Sequence, residues 1–233
     1  MLEIQQKDNM KRYIETIQKC LLFNDIEQKD LINLLTCMGA KVKTFEKEEY
    51  IVEENKDVTI SGIVLSGSFQ LVQYDYNGNR TILSRIEPLQ LFGEANSFSS
   101  ETMPTNIVAA ENSTVLFIDT NHLSHPCGNH CKFHITLINN LLRIMATKNV
   151  GLNQKLQCIS QRTTREKILN YLLLESKKHK TNEFEIPFDR QSLADYLCVE
   201  RSAMSAELSK LRNENIIESN KNKFKLLKTF SLV

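Results

Sequence analysis

No apolar run in this 233-residue chain reaches the roughly 20 residues that a membrane-spanning helix needs. The opening stretch, MLEIQQKDNMKR, lacks the apolar core of a signal peptide. The expectation is therefore a cytoplasmic protein with no membrane partner. The six cysteines, at 20, 37, 127, 131, 158 and 198, form no compact framework, and a cytoplasmic setting would keep them reduced. Internal repeats, low-complexity tracts and Gly/Ser linkers are absent. So are a P-loop, a dinucleotide fingerprint and any nucleophile–base arrangement, and the carboxylates are scattered, so the chain does not read as an enzyme. Net charge is only +1 and becomes informative when divided. Residues 161–233 hold 14 Lys/Arg against 10 Asp/Glu, and the rest of the chain is net negative.

That basic surplus accompanies the most informative segment, Asp189 to Ile217, DRQSLADYLCVERSAMSAELSKLRNENII. Asp189 is placed to cap a first helix. Leu193, Ala194 and Leu197 share one face of it, and Cys198, Val199 and Glu200 make a break. Met204, Leu208 and Leu211 then recur at i, i+4, i+7, the inward stripe of a second helix. Its opposite face carries Arg201, Ser202, Ser205 and Ala206: short side chains that let a backbone approach a DNA groove, and an arginine to reach a base edge or phosphate. Ile216-Ile217, the polar stretch 218–223 and Phe224–Leu227 have the pattern of a hairpin wing, with Phe184–Phe188 as a matching strand and Pro187 near its end.

Upstream the texture changes. Leu21, Leu22, Phe23, Ile26, Leu31, Leu34 and Leu35 belong to an N-terminal helical stretch. From about Val42 the pattern is short strands and turns: 60–72 around Gly67, a hairpin at Asn77-Gly78 expected to be a type I′ turn, a turn at 91–94, then strands at 107–110 and 115–118. Such close spacing predicts a small barrel or sandwich. A long helix is expected over 133–160. Its Ile138, Leu142, Met145, Asn149, Leu152, Leu156 and Ile159 are spaced 4, 3, 4, 3, 4, 3. That is a heptad seam suited to a parallel homodimer, with Asn149 trading stability for register.

A barrel, a long helix, Arg162–Leu169 and a winged helix in this order resemble a Crp/Fnr-family transcription regulator. The resemblance is carried by Gly62–Gly67, Leu91-Phe92-Gly93-Glu94, Arg190–Ala194 and Arg201–Ser205. It implies an α+β chain: an N-terminal cyclic-nucleotide-binding-like β-roll with N-terminal helices (1–132), a dimerisation helix (133–160) and a C-terminal winged helix-turn-helix (161–233). It also implies an effector acting on the roll, a homodimer, double-stranded DNA as partner, near-palindromic sites and engagement of RNA polymerase. On this reading Arg190, Gln191, Arg201, Ser202, Ser205 and Lys210 meet DNA. Many relatives carry Ser-Arg where this chain has Ser205-Ala206, so the operator is expected to differ from the familiar TGTGA/TTGAT half-sites.

The effector pocket implied by the resemblance comprises Gly93, Glu94, Pro104, Thr105, Leu152 and Asn153. Cyclic-nucleotide-binding relatives hold the ligand phosphate with an Arg-Ser pair where Pro104 and Thr105 stand here. No arginine lies between Arg85 and Arg143. A buried phosphate without a guanidinium loses its charge-assisted contact, which argues against a cyclic AMP receptor. Oxygen-sensing relatives hold an iron–sulfur cluster on closely spaced N-terminal cysteines; Cys20 and Cys37 do not supply it. Four of the five histidines crowd into 122–134. Cys127, Cys131 and His134 there fall at i, i+4, i+7, and His130 lies beside them, a donor set that suits haem iron or, less well, zinc. Pro126 and Gly128 interrupt a helix at this point, so a capping turn is the plainer reading. The resemblance extends to haem-containing, nitric-oxide-responsive regulators of hybrid cluster protein genes. A redox switch at Cys127 and Cys131 is the neighbouring alternative, and a ligand- or metal-binding module whose helix-turn-helix contacts only proteins is the alternative of another class.

Overall fold

The structure is a computed structural model that describes residues 12–54, 60–99, 101–119 and 133–228. By its contacts the chain forms two compact units: Met1–Tyr74 with Leu83–Thr147, and Asp75–Ile82 with Lys148–Val233.

Two four-stranded antiparallel sheets make up most of the first unit, with only the start of one strand, Arg80–Ile82, counted in the second. One has the order β1 (Lys41–Phe45), β8 (Ser113–Asp119), β3 (Ile60–Ser66), β6 (Leu91–Phe92). The other has the order β2 (Tyr50–Val52), β7 (Asn106–Ala109), β4 (Phe69–Tyr74), β5 (Arg80–Ile86). β3 and β8 read as continuous apolar runs because both faces of their sheet are covered. Val64 and Val115 join a core with Phe45, Phe69, Phe92 and Ile107. Their neighbours Ile63, Leu65, Leu116 and Ile118 join a second core under the N-terminal helices. Those helices are 12–18, a 3₁₀ turn at Leu21–Phe23 and α1 (Gln28–Cys37). Of the apolar residues expected there, Leu22, Phe23, Ile26, Leu31, Leu34 and Leu35 are buried, whereas Leu21 is exposed.

Two turns show the local chemistry. Gly67 has φ +74, and a Cβ there would meet Asn112 O at 2.6 Å, so only glycine fits. The Asn77-Gly78 hairpin corrects the type I′ expectation. Only Gly78 has positive φ, at +80. Gly78 N–H donates to Asp75 O, and Asp75 N–H to Asn79 O, the pattern of a three-residue loop ending in a glycine bulge. The Asp75 carboxylate accepts from Asn77 N–H and Asn79 N–H, both at 2.8 Å, which stabilises the longer loop over the tight one.

α3 (His134–Ile159) follows, one residue short of its expected bounds at each end. Within the first unit its inner face is Leu137, Asn140 and Ile144, all buried. Asn140 Nδ2 donates to Leu22 O at 3.1 Å and Asn24 O at 2.8 Å, tying the helix to the 3₁₀ turn.

The second unit is built on α4 (Thr164–His179), which starts with a capping box: Glu166 N–H donates to Thr163 Oγ1, and Thr163 N–H to Glu166 Oε2. α5 (Arg190–Leu197) and α6 (Arg201–Asn213) follow. A three-stranded antiparallel sheet closes it, order β10 (Ile217–Asn220), β11 (Lys223–Leu226), β9 (Glu183–Glu185). The wing turn is tighter than its expected span of 218–223: Glu218–Asn220 pair with Lys223–Lys225, leaving Lys221-Asn222 as the turn.

Replacing Asn140 by alanine would strand two carbonyls in the helical core. The expected loss is about 1–3 kcal/mol of unfolding free energy, read as a lower urea midpoint at unchanged slope; an unchanged midpoint would contradict this account of the α3 anchor.

Candidate nucleic-acid interface

The helix-turn-helix forms where the sequence places it. Asp189 Oδ1 accepts from Ser192 N–H at 2.7 Å, satisfying one orphan donor of α5. Cys198 ends α5 in the left-handed conformation at φ 53, and Val199 N–H returns to Ala194 O at 3.1 Å. After this turn Met204, Leu208 and Leu211 are buried, as are Leu193, Ala194 and Leu197 on the facing helix. Apolar burial on one side fixes which side of α6 meets water. That side is Arg201, Ser202, Ala203, Ser205 and Ala206, all exposed. It contains no carboxylate between Arg201 and Ala206, and Glu200 precedes it.

The other residues expected to meet DNA differ in setting. Arg190 is only partly exposed. Its guanidinium stands 5.1 Å from the Phe224 ring centroid, over the wing, and its Nη1 is buried. Burial, and then the Arg212 charge, lower its pKa from the ordinary arginine value. Gln191 Nε2 donates to Asp195 Oδ1 at 2.7 Å and so is engaged within α5. Lys210 is exposed and pairs with Glu207 at 3.4 Å, a contact of little strength at such exposure. Arg201, Ser202 and Ser205 are thus the expected DNA-contacting residues left exposed on α6 with no side-chain ion pair among the described residues. The wing also exposes three lysines not singled out in the sequence, Lys221 in the turn and Lys223 and Lys225 alternating along β11. Arg165 donates to Glu207 and to the α6 C-cap Glu214, and so ties α4 to α6.

In the first unit Gly93 takes φ +80 at the turn into the short helix α2 (Glu94–Ser99). Glu94 and Thr105 are buried and Pro104 is exposed. Glu94 is the buried first residue of α2. A groove of about 450 Å³ in this unit is lined instead by Lys41, Val42, Lys43, Phe45, Ile51, Val52, Phe92 and Phe117. None of the six residues expected to hold an effector lines it. Leu152 and Asn153 are exposed on α3, where Asn153 Nδ2 donates to Asn149 Oδ1 at 3.0 Å.

Cys127, His130 and Cys131 lie outside the described residues, and His134 opens α3. Among the described residues no three His, Cys, Asp or Glu groups gather as a metal site. Cys20 is buried, its Sγ donates to Leu89 O, and burial pushes its thiol up to about 11. Such a thiol is inert rather than reactive. No described helix is long and apolar enough to cross a membrane.

A β-roll followed by a winged helix is the architecture of a two-part regulator. Residues 42–129 match the cyclic nucleotide-binding domain, and residues 166–232 match the Crp-like helix-turn-helix domain. Solved structures share the fold. They include FixK2 from Bradyrhizobium japonicum (18% identical, TM-score 0.64, over 81% of this chain and 93% of that one). The c-di-GMP responsive global regulator CLP from Xanthomonas campestris is 13% identical, with TM-score 0.69 over 86% of this chain and 100% of that one. A CooA mutant from Carboxydothermus hydrogenoformans is 15% identical, with TM-score 0.63 over 88% and 93%. No curated protein matches the chain. With both domain models matched in this order, the chain belongs to the Crp/Fnr family of DNA-binding transcription regulators.

Asp189→Ala removes the cap that starts the helix-turn-helix. It should lower stability by about 1 kcal/mol, with Asp189→Asn close to the parent; thermal melts reading equal midpoints for all three would contradict the capping role.

Proposed function

We propose that the chain is a cytoplasmic, homodimeric regulator that reads near-palindromic DNA through α6. The observation that carries this reading is the exposed, carboxylate-free face Arg201–Ala206, backed by the buried stripe Met204, Leu208 and Leu211. Small side chains there admit the backbone to a major groove, Arg201 supplies the fork for a guanine or a phosphate, and Ser202 and Ser205 supply hydroxyls. Lys221, Lys223 and Lys225 on the wing add phosphate attraction.

The exposed stripe of α3 supports the dimer. Leu142, Leu152 and Leu156 are 62%, 59% and 59% exposed, while Leu137 and Ile144 behind them are buried. Ile138 and Met145 extend the exposed stripe, with Asn149 inside it. Burying each large apolar side chain contributes about 1.5–3 kcal/mol, so a second copy is the economical cover. Functionally the chain then divides into a sensor roll (1–132), a dimer helix (133–160) and a reading head (161–233), with RNA polymerase as the further partner.

The signal is a separate matter. Pro104 and Thr105, where a phosphate-binding pair would stand, offer no cation, which disfavours a cyclic nucleotide. Gly93, Glu94, Thr105, Leu152 and Asn153 keep the effector role only as positions. Nitric oxide sensed through haem rests on the donor chemistry of Cys127, His130, Cys131 and His134. Zinc is the less favoured occupant because the spacing of these four donors reproduces no known zinc motif.

A duplex selected by the full chain from a random-sequence library should be bound roughly tenfold more weakly by Arg201→Ala, with relaxed preference at one base position; undiminished binding by that variant would remove α6 as the reader. Leu142→Glu combined with Leu156→Glu should sediment as a monomer while the parent sediments as a dimer, and a dimeric double variant would refute the seam.

A further inference from the structure

The carbonyl end of α5 is held by two lysines that the helix-turn-helix does not itself supply. Lys155, from α3, is buried, with 7% of its surface exposed. Its Nζ donates to Tyr196 O at 2.8 Å and to Ile82 O, and lies 3.6 Å from the centroid of the Tyr196 ring. Lys167, from α4, donates to Leu197 O at 3.4 Å and Cys198 O at 3.3 Å. A helix C-terminus presents orphan carbonyls and a partial negative charge, and cations placed there stabilise it. α5's own cap returns N–H groups to Ala194 O alone. The three carbonyls nearest the turn are thus met by the two ammoniums. The turn Cys198–Glu200 comes next, and the reading face of α6 after that.

We propose that Lys155, with Lys167 beside it, is a positioning residue for DNA reading: it fixes the α5–α6 turn and so the aim of Arg201, Ser202 and Ser205, while touching no DNA. This rests on α6 being the reading helix.

A positioning ammonium in such a place is titratable. Burial pushes Lys155 down from 10.5 to about 8, against the smaller upward pull of Cys198 and Cys158. The other charged and titratable groups brought by the packed elements are Tyr196 and Asp195 on α5, Glu175 and Lys167 on α4, and Arg80 on β5, which lies 3.7 Å from Asp195. Above about pH 8 the neutral amine still donates hydrogen bonds but loses its charge for the ring and the carbonyl dipoles. The folded pKa lies below the unfolded one. In that window the unfolded chain holds more protons, and this group's contribution to stability rises with pH. A clamp that loosens as its contribution to stability grows is not a general folding effect.

The test measures affinity of the full chain for its selected, fluorescently labelled duplex, together with the salt slope and the melting temperature, from about pH 7 to about pH 9. Affinity of the parent should fall several-fold across this interval. Lys155→Met should bind roughly tenfold more weakly at about pH 7. Its pH profile should be flat and its salt slope unchanged, because a phosphate contact would have reduced the slope. Lys155→Arg, which keeps its charge, should also be flat with affinity near the parent. Cys198→Ser should keep the fall. Lys155→Met matching the parent in affinity and profile would overturn the inference, as would a fall that Cys198→Ser abolishes. If Lys155→Met does not fold, Lys155→Arg decides: a flat profile supports the clamp and the parent's fall repeated contradicts it. A parent that retains no duplex at any pH would instead overturn the reading of α6, and the clamp with it.

Discussion

The outer stripe of α3 is the constraint on which the rest depends. A helix of 26 residues presents more apolar surface than one side can hide. Its inner face is used inside the chain, by Leu137, Asn140 and Ile144 in the first unit and by Lys155 and Cys158 in the second. What remains is a leucine-rich stripe facing water. Such a stripe costs free energy unless another surface covers it, and a parallel copy of the same helix offers the matching spacing. Two copies would bring two reading heads together, which is how a recognition helix contacting few base pairs gains specificity from a palindrome.

The reading head follows the same economy. Its core residues are spaced so that one side of α6 is committed inward, which leaves the small polar side exposed. Asp189, the αL turn at Cys198 and the capping box at Thr163 each satisfy backbone groups at a helix end. None of these contacts recognises DNA. They set where Arg201, Ser202 and Ser205 stand.

Much of this was legible in the sequence because periodicity reports burial directly. The two stripes at 193–197 and 204–211, the break at 198–200, the strands around Gly67 and the long helix itself correspond to elements or faces in the structure, and of the heptad series all but the half-buried Ile159 are exposed. What was not legible depends on partners distant along the chain. Arg190 looked like a free cation until Phe224 of the wing came beneath it. Gln191 looked available until Asp195 one turn on engaged it. Asn77-Gly78 carried the signature of a tight turn, but Asp75 two residues earlier satisfied a longer loop. Lys155 is an unremarkable residue beside the heptad seam in sequence. Its role appears only when Ile82 and Tyr196, 73 and 41 residues away, converge on its ammonium. The groove flanked by Lys41 and Lys43 likewise draws on strands that no local motif brings together.

The central claim is that two copies of this chain read one DNA site through α6. Native mass spectrometry of the full chain with its selected duplex tests it most directly. The account predicts a complex of two chains on one duplex, with no stable complex of one chain. A single chain on each duplex, bound as tightly as the pair, would contradict it.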